Sequence, residues 1–396
     1  MVEASDAAIE GASTNNVTLL GWVAFWSGMA QEMIYPLLPT FVVVALSESA
    51  TALGAIEGAL IVGVTLARLA AARLLDRGAS PRRLTRSSYA LSLAARPLMA
   101  LAPGIAVVGS LRVLDGFGKG GKDAPRDTLV AADAEIGRAG HSFGVQRALD
   151  TLGSVVGPLL AGGVLLLVGH DESGLRLVFA LAVLPAVGAL LTLRRVHDAP
   201  PSPPRPAGER LALPRPFLVL LVAVTLFGLA NSSDTLLLLQ ARAGGLSAAQ
   251  LAFAYAAFNV AYAALAIPAG RLSDHIGRRP LLLVAWSAYA LVYAGFALAG
   301  QAWQLWVLFL AYGVYYAAAE GTLKAWVASL VPPERRGAAY GLYAAASGLL
   351  VLPASVIAGA LWDRHGAGPA FGFGAALAVA VVALSPSLRR QLADTA

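Results

Sequence analysis

Residues 112–129, RVLDGFGKGGKDAPRDTL, place seven charges in eighteen positions of a chain that is 58% hydrophobic and only 13% charged. The seven are Arg112, Asp115, Lys119, Lys122, Asp123, Arg126 and Asp127, and among them are two of the three lysines in the protein. Three chemistries could use such a set. A phosphate-binding loop would read GFGKGGKD as G-x-x-x-x-G-K or as G-x-G-x-x-G. The first pattern ends in Asp123 where a magnesium-binding Ser or Thr belongs, and both need a preceding strand and a following soluble helix. A solvated surface loop is the second choice, since charge clusters usually sit in water. The third is a charged face on a membrane helix.

Helical phase selects the third. At about 100° per residue all seven charges lie within an arc of about 140°, whereas Val113, Leu114, Phe117 and Pro125 lie outside it. A loop has no reason to keep such phase. A charge in the middle of a membrane helix costs about 3 kcal/mol, so it persists by facing a polar cavity and by pairing. Asp115–Lys119 and Lys119–Asp123 have the i,i+4 spacing that allows pairing, and the glycines allow neighbouring helices to approach closely. Asp127 is expected at the cytoplasmic mouth of this face.

The rest of the chain supplies the membrane. A soluble chain has about 25% charged and 45–50% apolar residues; this one has a positive mean hydropathy. The excess falls into apolar runs of about twenty residues, enough to cross about 30 Å of hydrocarbon. Twelve runs are predicted as helices: 18–46, 52–72, 85–104, 105–131, 139–168, 174–193, 216–241, 247–269, 281–300, 302–331, 338–361 and 367–386. The ten-residue alternation of an outer-membrane barrel is missing. With no cysteine there is no disulfide framework, thiolate metal site or Cys nucleophile. The first twenty residues hold no Lys or Arg, so they lack the basic region of a cleaved signal peptide and the first run is expected to remain as a helix.

The net charge of +6 does not point to nucleic acid. With the N-terminus inside, eighteen of the 29 basic residues fall in cytoplasmic segments and only Arg176, Arg242 and Arg364 fall outside. This bias predicts a multi-pass protein with both termini cytoplasmic, and a bacterial inner membrane is its expected location. The remaining basic residues lie inside predicted helices.

The stretch 194–215, RRVHDAPPSPPRPAGERLALPR, is too rich in Pro to be a helix interior and is read as a cytoplasmic linker. It separates two six-helix bundles, residues 1–193 and 216–396. The halves repeat. AQEMIYPLLP (30–39) precedes ARLLDRGASPRR (72–83), and SSDTLLLLQ (232–240) precedes GRLSDHIGRRP (270–280). Parallel repeats of this kind place a substrate site near the midplane, between the halves.

GRLSDHIGRRP is similar to the signature loop of the major facilitator superfamily, with Gly270, Asp274, Arg278 and Arg279 in place and His275 where Arg is usual. The first-half copy keeps Asp76 and Arg77 but has Ala72 for the leading Gly and irregularly spaced arginines; both loops are expected to gate the cytoplasmic mouth. GSVVGPLLAGG (153–163), with Gly153, Gly157, Pro158 and Gly162, resembles the fifth-helix motif of antiporters in that family. Arg112, Gly116 and Gly118 match its fourth-helix R-x-x-x-G-x-G. Asp115 stands where Gln is common and Lys119 where small residues are usual, which implies a specialised ion-pair network. The resemblance covers the whole chain and implies an all-α membrane protein of the drug/proton antiporter-like branch. In that fold the first, fourth, seventh and tenth helices line the cavity.

Each of those four helices carries an acid: Glu32; Asp115 and Asp123; Asp234 beside Asn231; and Glu320, with Lys324 four residues on. Tyr312, Tyr316 and Glu320 share one face at i,i+4. An ion-pair net that only holds the halves together is one reading; proton binding and release by some of these acids is the other. Burial favours the neutral acid and a nearby cation the ionised one. Glu32 has no cation in its own helix, so it and Asp234 are the preferred protonation sites. Arg147, Asp150 and Arg96 are candidates to extend the network, whereas Arg68 and Glu57 read as structural residues nearer the helix ends. Met29 and Met33 around Glu32 fit core packing better than a soft metal. NSSD (231–234) reads as cavity lining, because no His is placed to make a nucleophile of its serines.

The residues thus predict a proton-coupled secondary transporter, not an enzyme, with no cofactor or metal, working as a monomer in the bilayer. The expected cargo is a small amphiphilic organic compound exported in exchange for protons. The expected substrate-binding residues are Arg112, Lys119, Lys122, Arg126, Asn231, Tyr316 and Lys324, and the alternative is proton-linked transport of an organic anion held by Lys119, Lys122 and Arg126. A receptor or scaffold that binds without transporting is the third.

Overall fold

The computed structural model describes residues 16–133, 139–199, 213–332 and 336–384. Most of the predicted linker, and Arg138, Arg205, Arg210, Arg335, Arg389 and Arg390, lie outside the described residues. The described chain is helical throughout and shows no strand. In order, α1 is Asn16–Ile34, carried on by turns at Tyr35–Leu37 and Thr40–Ala45; α2 is Ala50–Asp76, α3 Pro81–Leu98, α4 Ile105–Asp133 and α5 Ala139–Val168. Helix α6 runs in two segments, Glu172–Leu181 and Val183–Leu193, and α7 in two, Arg215–Ala230 and Asp234–Ala243. Then come α8 Ala248–Ile276, α9 Arg278–Leu298, α10 Ala302–Leu330, α11 (Arg336–Leu349 and Val351–His365) and α12 Ala367–Ala383. Each predicted run is one of these.

Among the described residues eight helices are long and apolar enough to cross a membrane by themselves. The other four have visible reasons to fall short. Helices α3 and α4 are charged, α1 carries Gln31–Glu32 and gives way at Pro36, and α12 has 17 residues. Helix starts follow local capping: Ser49 accepts from the Ala52 N–H, Ser80 from Arg83, and Ser247 and Gln250 form a reciprocal box at α8.

Glycine spacing decides the packing of α4. Gly116 and Gly120 lie on the Leu60 and Val64 carbonyls of α2, while Gly118 and Gly121 lie on Ser88 of α3. A methyl group at any of the four would meet a neighbouring atom. The antiporter-like motif has the same physical content: Gly153 and Gly157 rest on the Phe25 and Met29 carbonyls of α1, and Gly162 rests on the Phe253 ring of α8. Small residues are what let membrane helices approach backbone to backbone.

Two seams join the halves, α2 against α11 and α5 against α8. Alternating helix direction puts the turns 76–81 and 276–278 at one end, the loop end, and the starts of α2 and α12 at the other. At that other end Gly54 and Gly58 pack on Ser355 and Leu352, and Gly359 packs on Ala50 and Thr51. At the loop end Asp76, Arg77, Arg271 and Asp274 are exposed.

Candidate functional site

Between the halves lies a cavity of about 330 Å³, of the size that small-molecule sites occupy. Its walls come from α1, α2, α4, α7, α8, α10 and α11.

The wall from the first half is an ion-pair chain. Arg112 holds both oxygens of Glu57, through Nε and Nη2 at 2.7 Å each, and reaches Asp115 Oδ2 at 3.1 Å. Asp115 is fully buried and also accepts from Arg96 Nε at 3.0 Å and from the Ser92 hydroxyl. Arg96 in turn donates to the Ser27 carbonyl at 2.8 Å and to Gln31 Oε1 at 3.2 Å. Lys119 stands 3.9 Å from Asp115 and lines the cavity. So α4 is a helix across the charged stretch, and Asp115–Lys119 pairs as its spacing implies.

The rest of the seven charges part from the expected single cavity face. Asp123 pairs with Arg68 of α2 at 2.6 Å and with Arg126 at 3.8 Å, in place of Lys119. Arg126 binds Asp127 at 2.8 Å, and the Lys122 ammonium sits 4.6 Å above the Tyr89 ring of α3. None of Lys122, Asp123 and Arg126 lines the cavity. A 140° arc is wide enough to address α2, α3 and the cavity together, and helical phase alone does not divide it.

The facing wall is built around a break in α7. Asn231, Ser232, Ser233 and Asp234 all line the cavity. The backbone groups freed there are taken up by side chains: the Ser233 N–H donates to Ser355 Oγ at 2.9 Å, and the Tyr289 hydroxyl donates to the Ala230 carbonyl at 2.7 Å. That is how an unwound turn survives in hydrocarbon. Asp234 opens the second α7 segment, where the helix dipole favours an anion. Its oxygens accept from Tyr312 at 2.7 Å and Tyr316 at 3.2 Å. The face shared by Tyr312, Tyr316 and Glu320 is thus real, although Tyr312 sits behind the wall. Glu320 binds Lys324 at 2.6 Å and accepts from Tyr262 at 2.5 Å, and Arg147 of α5 reaches both Tyr262, at 2.9 Å, and Glu320, at 3.7 Å. Lys324 itself does not line the cavity.

Glu32 also sits behind the wall. It is buried, Gln31 donates to its Oε1 at 2.6 Å, and its Oε2 has no partner among the described residues. Gln31 is the neighbour that faces the cavity. Sequence reasoning missed Gln31, Tyr35, Tyr255, Asn259 and Tyr262 as lining residues, and it took Glu57 for a structural residue near a helix end. An acid inside an apolar run is a functional candidate by default, and that signal was available for Glu57.

The Major Facilitator Superfamily matches this chain over residues 20–344 and 235–393. The chain belongs to that superfamily. An uncharacterized MFS-type transporter of Methanocaldococcus jannaschii is 28% identical over 362 residues, covering 88% of this chain and 89% of the relative. An uncharacterized protein of Mycobacterium tuberculosis is 29% identical over 310 residues, covering 75% and 74%. Among solved structures the nucleoside transporter NupG aligns with a TM-score of 0.75 at 13% identity, covering 95% of this chain and 99% of NupG. A POT family transporter in complex with a thioalcohol-conjugated peptide aligns at 0.77 with 12% identity, covering 94% and 96%. These likenesses carry the fold. The protein is a multi-pass membrane transporter of the superfamily type, not an enzyme, and its charged fourth helix and broken seventh helix both contribute to the wall of the cavity.

Proposed function

We propose that this transporter couples proton movement to export of a small amphiphilic organic compound, by rocking of two six-helix halves about the central cavity. The observation that carries the reading is Asp234. It faces the cavity, its oxygens are met by tyrosine hydroxyls, and no cation pairs with it among the described residues. An acid placed so can take a proton or a cationic group from the cavity when one mouth is open and give it up when the other is. Tyr35, Tyr255, Phe258, Tyr262 and Tyr316 supply the apolar and cation-binding surface beside it. The halves pack backbone to backbone at the Ala50–Asp363 end, and Asp76, Arg77, Arg271 and Asp274 of the two loops at the other end are exposed. With both termini cytoplasmic in a bacterial inner membrane, this is an inward-facing state.

Lys119 favours a second reading. Its nearest acid is 3.9 Å away and already holds Arg96 and Arg112, so an organic anion could use the ammonium. The test is flux into proteoliposomes of tetraphenylphosphonium, benzyl alcohol and benzoate, each with and without an imposed pH gradient. Gradient-dependent movement of the cation or the neutral compound supports proton-coupled export. Movement of benzoate alone selects the anion reading. Binding of any probe without gradient-dependent flux removes both.

A further inference from the structure

The N-terminus of α2 is completed by the other half of the protein. Its first three N–H groups point out of the helix and need acceptors. Ser49, the residue before α2, takes only the third, that of Ala52, at 3.0 Å. The first two go to a carboxylate 313 residues further along the chain: Ala50 N donates to Asp363 Oδ1 at 2.9 Å and Thr51 N to Asp363 Oδ2 at 2.9 Å. The Thr51 hydroxyl donates to the same Oδ2 at 2.5 Å. One turn back along α11, Gly359 rests on the Ala50 and Thr51 backbone with no side chain between.

We infer that Asp363 is a positioning residue for transport, a latch that holds the halves shut at the end opposite the signature loops. Three features make this a latch and not merely a cap. The bonds run from one half to the other, so rocking open at this end must break all three together. Asp363 is exposed, so water can replace each bond and the contact is reversible. The segment that bears it, Val351–His365, also carries Ser355, whose hydroxyl accepts from the N–H of Ser233, next to the cavity acid Asp234. Withdrawing Asp363 from α2 therefore moves the element that anchors the broken turn of α7. The inference rests on the rocking reading given above.

The absence of native cysteine lets distances at both mouths be measured without substrate. Spin-label pairs at His170→Cys and Gly300→Cys report the Ala50–Asp363 end, and pairs at Arg82→Cys and His275→Cys report the loop end, by electron double resonance in lipid nanodiscs. A cap contributes about 1 kcal/mol, a roughly fivefold bias. Asp363→Ala is expected to raise the long-distance population at the first pair about fivefold or more and to raise a short-distance population at the second. Thr51→Val keeps both backbone bonds and is expected to give a smaller shift in the same sense; it serves if Asp363→Ala does not fold. Unchanged distributions in the folded variants overturn the latch. Lengthening at the first pair with no shortening at the second overturns it too, because that is loosening and not exchange. If mouth distances trade in wild type but ignore Asp363, the latch fails and rocking stands; if they never trade, both fail.

Discussion

Arg112 and Glu57, 55 residues apart on α4 and α2, meet in a two-point ion pair with both N–O distances at 2.7 Å and both side chains buried. Burying two charges costs several kcal/mol each, and close pairing with further hydrogen bonds offsets it. Removing one partner strands the other. Glu57→Leu is expected to lower stability by about 3 kcal/mol or more, with Asp115 only partly compensating, and Arg112→Met likewise. The double variant should recover at least half of that loss while remaining inactive. Thermal unfolding of the four proteins in detergent, treated as a double-mutant cycle, measures the coupling; additive losses would remove the pair as a stability element.

Glu32 and Asp234 are the two acids around the cavity with no cation bound to them among the described residues, and they sit differently. Asp234 faces the cavity, whereas Glu32 is reached through Gln31. Proton release on adding a transported probe in weak buffer separates them. Asp234→Asn is expected to abolish release while binding of the neutral probe stays within a few-fold, and Glu32→Gln to reduce it only if Gln31 passes the signal inward. Equal release from wild type and Asp234→Asn would shift the coupling role to Glu32.

The glycines of α4 and α5 give a contrast in packing. Gly120→Ala sets a methyl group against the Val64 backbone carbonyl of α2, which has no rotamer to yield. It should cost about 1–3 kcal/mol. Gly163→Ala meets no atom within 4 Å and removes a helix-disfavouring residue, so it should be neutral or stabilising by about 1 kcal/mol or less. Melting temperatures of the two variants are the check, and the reverse order would contradict the close approach of α2 and α4.

At the loop end Asp274 is exposed in this conformation. Asp274→Asn should leave unfolding stability within about 0.5 kcal/mol and, on the proposal that this loop closes its mouth in the opposite state, still slow flux in liposomes more than tenfold. Unchanged flux would end its assignment as a gate.

Asp198, in the described start of the linker, ties that segment to the start of α3. Its carboxylate accepts from the Ser80 hydroxyl at 2.5 Å and the Arg82 N–H at 3.1 Å. Partial burial pushes its carboxyl up, but the Ser80 and Arg82 bonds outweigh that and hold it below the ordinary range. A lowered carboxyl stabilises the fold above its unfolded value of about 3.9, and the gain is lost as pH falls through the folded value. Because the group is largely exposed the gain is under about 1 kcal/mol. Ser80→Ala should therefore narrow the stability difference between pH 6 and pH 3; an unchanged pH profile would show that the contact contributes nothing.

Length, hydropathy and charge determined that this chain crosses a membrane as helices and that α4 carries its charges in helical phase, because apolar run length and a 100° period are properties of a single helix. NSSD was legible as cavity lining, though the break in α7 at that point was not, and the signature loop was legible from its Asp and arginines. What partners those charges take was decided only in three dimensions. Lys119 and Asp123 have ideal spacing, yet Asp123 turns to Arg68, since α2 brings a guanidinium closer than the helix's own next turn. Glu57 became the partner of Arg112, and Gln31, not Glu32, reached the cavity, because which side of an apolar helix faces the cavity depends on how α1, α2 and α4 rotate about their glycine contacts. The cap that Asp363 gives to α2 spans the two halves and leaves no mark in either local sequence. A helix can specify its own period; only its neighbours decide where that period points.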